Sequence, residues 1–365
     1  MSTKIIFFIS NIHLPRCVNR VNQFVENGYD VEAYYFDRAE FTNKINEIKV
    51  PTHCMGMMES GSGSYFKRMP KQYRTIKKVV DSYKGKDVCF YLFGFDMALI
   101  YHFCFVKTKY IFEESDLRHT YFKPSIVARI LESIDKRIIK KSLITVFTSE
   151  GFNKYHFGEF IANNVTFIPN KVSPEICKLD FKGKHTLDLQ HLQIGFVGSP
   201  RFKSVYNFVK IFCNKCPDST FHFFGEPCLD GIDEHKTLKN CIFHGAFRSP
   251  QDLPEIYSKI DLVLSTYDAD IENVRYAEPN KIYESIYFEV PIIVSKGTFL
   301  AEKVERFNIG YAIDPMNDNA VSSFIDSLSE ASIKEKSENA HLIDKEDVIS
   351  VNKKFYQMLE LKLKK

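Results

Sequence analysis

The chain has 365 residues, 44% of them hydrophobic, and a formal net charge of +3. That length suggests two domains, the apolar fraction excludes a disordered chain, and near-neutrality gives no ground for general nucleic-acid binding, so no nucleic-acid partner is expected. The nine cysteines, odd in number and scattered, are expected as reduced thiols of a cytoplasmic protein.

Residues Met1-Ser2-Thr3-Lys4 lead straight into the apolar run Ile5–Ile9, so no signal peptide is expected. In the first half, strands are predicted at Lys4–Ser10, Asp30–Phe36, Asp87–Phe93, Lys109–Phe112, Leu143–Thr148 and Val165–Ile168. Helices are predicted between them, notably Pro15–Asn27, Tyr65–Tyr83 and Lys123–Lys141. The run Val88–Val106 is nearly all apolar, but Asp96 and His102 lie within it and Gly94 interrupts it. A buried strand, a turn and a core-facing helix explain it better than a membrane span. The segment Glu59–Ser64 reads as a flexible loop that orders around a ligand. Between Lys67 and Lys86, eight Lys and Arg residues face only Asp81 and are interleaved with Met69 and Tyr73. Peripheral contact with an anionic membrane is expected of this region.

After Pro169-Asn170-Lys171-Val172 the chain is polar and aperiodic to about Gln190, as in a linker. Leu192–Gly198 starts a second set of strands, continued at Thr220–Phe224, Cys241–Phe243, Leu262–Leu264 and Pro291–Val294. Its helices are predicted at Ser204–Lys215, Pro250–Lys259, Asn280–Phe288 and Ala320–Ser329. A last helix over Glu346–Lys362 places Val348, Val351, Phe355, Met358 and Leu359 on one face. Strand–helix alternation twice over predicts an α/β chain of two Rossmann-like parallel-sheet domains. The boundaries are 1–170, a linker 171–190, 191–345, and a C-terminal helix 346–365 that packs back on the first domain. Cys213-Asn214-Lys215-Cys216, with Cys228 and Cys241, has the donors for a four-thiolate zinc site. Cys213 belongs to an amphipathic helix and Cys241 opens a strand, so no metal is expected.

The most informative segment is Ala277-Glu278-Pro279-Asn280-Lys281-Ile282-Tyr283-Glu284-Ser285, followed by the buried strand Pro291–Ser295. It opens a helix whose free N–H groups and partial positive charge suit an anion such as a diphosphate. Lys281 adds a point charge, and Glu284 offers two acceptor oxygens to a vicinal diol. The segment resembles the donor-binding signature of GT-B glycosyltransferases, in a Pro-Asn-Lys-x-Tyr-Glu variant, and is most similar to the large retaining bacterial group (family 4-like, group 1). In diluted form the resemblance covers nearly the whole chain.

What the resemblance implies is a pair of domains facing across a cleft, a nucleotide-sugar donor and a glycan or lipid-linked acceptor. The activity is expected in surface polysaccharide synthesis, without a cofactor. Glu284 takes the place of the second glutamate of the family's Glu-x7-Glu pattern, which binds ribose. Tyr276 replaces the first, and Glu278 is the nearby acid that stands in for it. Gly198, with Arg201 and Lys203, matches the loop at the donor diphosphate, and Phe247 the region lining the base. On the acceptor side, Asp116 is the first candidate for catalytic base and Glu114 the second, since Ser115 stands where many relatives carry His. His13, Arg16 and Asp96 border the expected cleft at strand-to-helix junctions. A catalytically silent subunit of the same fold, or a sugar-nucleotide epimerase or hydrolase, is the alternative reading.

Overall fold

The computed structural model describes residues 3–37, 47–57, 65–183, 185–226 and 238–364; the loop at 59–64 and Cys228 lie outside the described residues. Two compact units emerge, one of Met1–Ile168 with Asn352–Lys365 and one of Pro169–Val351.

In the first unit the chain runs β1 (Lys4–Ile9), α1 (Pro15–Glu26), β2 (Val31–Asp37), β3 (Thr52–Met57), α2 (Tyr65–Ser82), β4 (Val88–Phe93), α3 (Phe95–His102) and β5 (Tyr110–Glu114). It continues through α4 (Ile126–Lys141), β6 (Ile144–Phe147), α5 (Glu150–Phe157) and β7 (Val165–Phe167). Its seven strands are ordered β3-β2-β1-β4-β5-β6-β7, and every pairing is parallel. A parallel sheet needs crossover helices on its faces, which is why β1 and β4 are almost continuously apolar and buried.

The second unit repeats the plan with β8 (Gln193–Val197), α6 (Lys203–Lys215), β9 (Thr220–Phe224), β10 (Cys241–Gly245), α7 (Leu253–Ser258), β11 (Leu262–Ser265) and α8 (Glu272–Tyr276). There follow α9 (Lys281–Phe288), β12 (Ile292–Ser295), α10 (Phe299–Phe307), β13 (Gly310–Ile313), α11 (Asp318–Ser327), α12 (Glu330–His341) and α13 (Lys345–Val348). Its six parallel strands are ordered β10-β9-β8-β11-β12-β13. Both sheets therefore reverse strand order beside their first strand, at β1/β4 and β8/β11. That reversal opens a crevice at the carboxyl ends of the strands. Both are Rossmann-like α/β units. No helix among the described residues is long and apolar enough to cross a membrane.

Residues 171–190 pack on the second unit, with Val172 and Ile176 in its core. The single helix expected over Glu346–Lys362 is instead broken. Val348 ends α13 inside the second unit's core, Val351 is exposed, and Asn352 turns the chain in the left-handed region at φ 54°. Then α14 (Lys353–Leu363) lays Phe355, Tyr356 and Leu359 into the core of the first unit. Phe355 and Tyr356 meet Phe24 of α1 edge-on, at ring separations of 5.7 and 5.4 Å. A 3.6-residue period continues across a break when each half has its own core to face, and nothing apolar marks the switch.

At the edge of the second sheet, His222 on β9 lies 2.9 Å from His244 on β10, and its other nitrogen 2.8 Å from Gln193 Oε1. Burial, then the neighbouring His244, Lys259 and His185, push the His222 imidazole down to about 4.

Two outcomes follow for stability. Phe355→Ala leaves a cavity beneath Phe24 and costs about 3–5 kcal/mol in urea unfolding of the full chain; a cost below about 1 kcal/mol contradicts the packing described. His222 favours its neutral form in the fold, so its contribution is complete above the unfolded value of 6.5 and is lost as pH falls toward about 4. His222→Gln should flatten the stability loss across that window, and an unchanged acid limb excludes this origin.

Candidate functional site

The residues signalled by the sequence fall at the carboxyl ends of the strands in both units. In the second unit, β8 ends at Gly198, whose N–H donates to Phe224 O at 2.7 Å, while Gly225 N–H donates to Gly245 O at 2.7 Å. The ends of β8, β9 and β10 are stitched together at three glycines. Gly225 sits at φ 139°, and a Cβ there would meet Gly198 O at 2.2 Å, so only glycine fits.

Helix α9 points its N-terminus at this glycine cradle. Lys281, 7% exposed, sets its ammonium 4.9 Å above the Phe196 ring and 3.4 Å from Tyr267 Oη. A Cβ built on Gly198 would lie 3.2 Å from that nitrogen. Among the described residues no carboxylate stands within ion-pair distance of Lys281. Asn280, at the start of α9, does not cap the helix; its amide donates to Glu284 Oε1 at 2.6 Å. The α9 N-terminus thus carries a buried cation and no side-chain cap, an arrangement suited to an anion.

One turn in, Glu284 is buried, and its Oε2 accepts from Tyr257 Oη at 2.8 Å. Burial raises its pKa above the usual carboxylate range, opposed by Lys281 and by the two hydrogen bonds. Glu278 is also buried; its Oε1 pairs with Lys303 Nζ at 2.6 Å and accepts from Tyr283 Oη, while Oε2 has no partner among the described residues. Two hydroxyls at the same strand ends, Ser204 Oγ and Thr266 Oγ1, are buried and likewise without a partner there.

Arg201 and Lys203 are exposed, Arg201 lying over the Phe202 ring at 5.4 Å. The backbone N–H groups of Lys203 and Ser204, at the start of α6, donate to the Asp268 carboxylate at 3.3 and 2.9 Å. Asp268 therefore caps the start of α6. Phe247 is half-buried against the α7–α9 core, and Arg248 is turned onto Asp252 at 2.8 Å. Tyr257, Thr266 and Tyr267 were not singled out by the sequence reading. Their only sequence signal is position, one on α7 and two just past a buried strand.

In the first unit, Arg16 Nη2 lies 3.8 Å from Asp116 and its guanidinium covers Phe93 at 5.7 Å. Asp96 lies 3.8 Å from Arg118, and His13 Nε2 is 2.7 Å from Asp37 Oδ1. These contacts tie together the loops after β1, β4 and β5. Asp116 keeps its side chain 48% exposed. Glu114 differs sharply. It is fully buried, with His156 Nε2 of α5 at 3.1 and 3.2 Å from its two oxygens. Burial pushes Glu114 up to about 8 and Asp135 of α4 up to about 7, the latter helped by the charge of Glu114.

No protein-family model matches the chain, and no curated protein matches it either. Solved structures do. Sucrose-phosphate synthase from Thermosynechococcus elongatus superposes with a TM-score of 0.71 at 13% identity, over 98% of this chain and 99% of that one. Anabaena HepE, in complex with UDP and glucose, gives 0.69 at 14% identity, over 98% and 100%. The lipopolysaccharide outer core galactosyltransferase WaaB gives 0.65 at 14%, over 98% and 99%. The chain has the fold of GT-B glycosyltransferases, from end to end.

The glycine cradle makes a direct prediction. Gly225→Ala forces a backbone clash with Gly198 and a strained φ, and destabilises by more than about 1 kcal/mol, a fall of at least about 2–4 °C in Tm for a unit of this size. An unchanged Tm would mean that the three strand ends are not locked as described.

Proposed function

We propose that the chain is a glycosyltransferase that takes a sugar from a nucleoside-diphosphate sugar and delivers it to a glycan or lipid-linked acceptor. The observation that carries this reading is Lys281, a buried ammonium with no carboxylate within ion-pair distance among the described residues, set at an uncapped helix N-terminus beside Gly198. A diphosphate supplies the counter-charge that this geometry lacks. HepE, of the same fold, has been solved with UDP and with UDP-glucose, which supports the donor class.

In this reading each residue has a defined task. The diphosphate lies against Gly198, the α9 N-terminus and Lys281, with Arg201 and Lys203 as exposed cations at its edge. As the bond between sugar and diphosphate breaks, charge grows on the leaving oxygen. Preorganised dipoles and Lys281 stabilise that charge more than they stabilise the ground state. Glu284, held by Tyr257 and Asn280, keeps one acceptor direction on each oxygen for the ribose diol. Glu278 Oε2 serves a sugar hydroxyl, and Phe247 flanks the base. In the first unit Asp116, beside Arg16, takes the acceptor proton, with His13, Arg16 and Asp96 around the acceptor. Glu114 anchors the loop from within. Hexosyl transfer with retention of configuration is inferred from the Pro-Asn-Lys-x-Tyr-Glu resemblance, as is a role in surface polysaccharide synthesis. The reading requires no cofactor beyond the nucleotide sugar. On α2, Gln72, Ile76 and Val80 are buried while Lys67, Lys71, Arg74 and Lys78 are exposed. We assign that cationic stripe to the surface of an anionic membrane carrying the acceptor.

Titration calorimetry with uridine, guanosine and adenosine diphosphates and their sugars tests the donor site. One nucleotide family should bind selectively. Lys281→Met and Glu284→Gln should each weaken it about 10–100-fold, the cost of a lost hydrogen bond to a charged group. Failure of every nucleotide to bind, or equal binding by both variants, would overturn the proposal. Release of nucleoside diphosphate that depends on added acceptor separates transfer from hydrolysis, and the product's anomeric configuration decides retention.

A further inference from the structure

We propose that the first unit holds a divalent transition-metal ion between Glu114, Asp135 and His156, a site separate from the donor site. One ligand atom from each of these residues lies within 4.8 Å of the other two, and all three side chains are buried. They come from three elements: the end of β5, the middle of α4 and the last turn of α5.

The first argument is charge. Two carboxyl groups withdrawn from water side by side can both ionise only where a cation or a metal compensates them. Across the described residues no Lys or Arg forms an ion pair with either one. A divalent cation bound to two carboxylates and a neutral imidazole leaves no net charge.

The second argument is unspent bonding capacity. Asp135 is 0% exposed, yet neither of its oxygens has a hydrogen bond among the described residues. His119 Nδ1 lies 3.2 Å from Asp135 Oδ2 but out of hydrogen-bond alignment, and it too is unpartnered. The ring is held from its other side, with Nε2 at 3.2 Å from Tyr155 Oη. An acid on the buried stripe Ala128-Leu131-Asp135-Ile138 of α4, aimed into a cluster of ligands with neither oxygen in an aligned hydrogen bond among the described residues, points to a cation.

The third argument is size and chemistry. Ligands about 2.0–2.2 Å from a tetrahedral ion stand roughly 3.4 Å apart. His156 Nε2 and Glu114 Oε2 are already 3.1 Å apart. Imidazole with carboxylates and no thiolate suits zinc, iron or manganese rather than a sulfur-selective ion. His119 would orient Asp135 as its partner, as groups behind metal ligands do. The ion would pin the end of β5, two residues before Asp116, to the two helices behind it.

The test needs no substrate. The full chain, purified without a histidine tag, is analysed for metal by mass spectrometry. It is then stripped with a chelator and titrated with Zn²⁺, Mn²⁺ and Co²⁺ while unfolding is followed. One equivalent of metal per chain and a metal-dependent rise in Tm are expected. Co²⁺ should give visible d–d bands without thiolate charge transfer, separating this site from the cysteines. Asp135→Asn should abolish the effect, and His119→Gln should weaken affinity about 10–100-fold. Absence of bound metal in the wild-type chain together with no Tm response overturns the proposal, as does a thiolate band with Co²⁺ or undiminished binding in Asp135→Asn. The wild-type readings stand even if a variant fails to fold.

Discussion

An ammonium group taken out of water seeks an anion, and among the described residues no carboxylate lies within ion-pair distance of Lys281. Its neighbours are a tyrosine hydroxyl, the face of Phe196 and the bare backbone at Gly198. The cation–π contact is worth about 0.5–2 kcal/mol, short of what a buried ion needs. Helix α9 adds its positive end to the same point instead of opposing it. Both effects favour a negatively charged ligand there. In the proposed reading Glu284 serves a diol of the nucleotide sugar, and Glu278 Oε2, unpartnered among the described residues, a hydroxyl.

That concentration of positive potential depends on topology. In an all-parallel sheet with right-handed crossovers, every helix that follows a strand begins at the same end. Gly198 and Ser204 lie far in sequence from Thr266 and Lys281, and they converge because the connections after β8 and β11 leave one sheet at the same end. The close approach of Gly225 to Gly198 fixes the cradle, and Asp268 fixes the start of α6. Asp268 also marks a division of labour, since the N-terminus of α6 is satisfied by a carboxylate of the protein while that of α9 is not.

Much of this was legible in the sequence because it depends on short-range pattern. The apolar runs named most of the buried strands, and Pro279-Asn280-Lys281 named the start of α9. Where the pattern is weak the reading failed. Thr52–Met57 is an edge strand with a half-exposed, irregular composition, and Gly310–Ile313 closes the other sheet in four residues. Neither carries enough alternation to announce itself. The break at Asn352 was hidden because Val348 and Phe355 keep helical spacing while serving different cores. The buried cluster was hidden for a related reason. Asp135 in an apolar stripe was visible, but its meeting with Glu114 and His156 depends on how three elements pack. The resemblance drew attention to α9 and passed over Tyr257 of α7, which holds Glu284, and Tyr267, which meets Lys281.

Two buried polar centres therefore lie beside the strand ends in the two units, and they differ in kind. Among the described residues, a cation of the second unit lacks an anion and two acids of the first lack a cation. The proposed nucleotide binding depends on the former. Hydrogen–deuterium exchange of the full chain, with and without saturating nucleoside diphosphate, tests it most directly. Slowed exchange confined to residues 197–204 and 277–285 is the predicted result. Ligand-dependent protection that falls elsewhere, leaving the start of α9 unchanged, would contradict it.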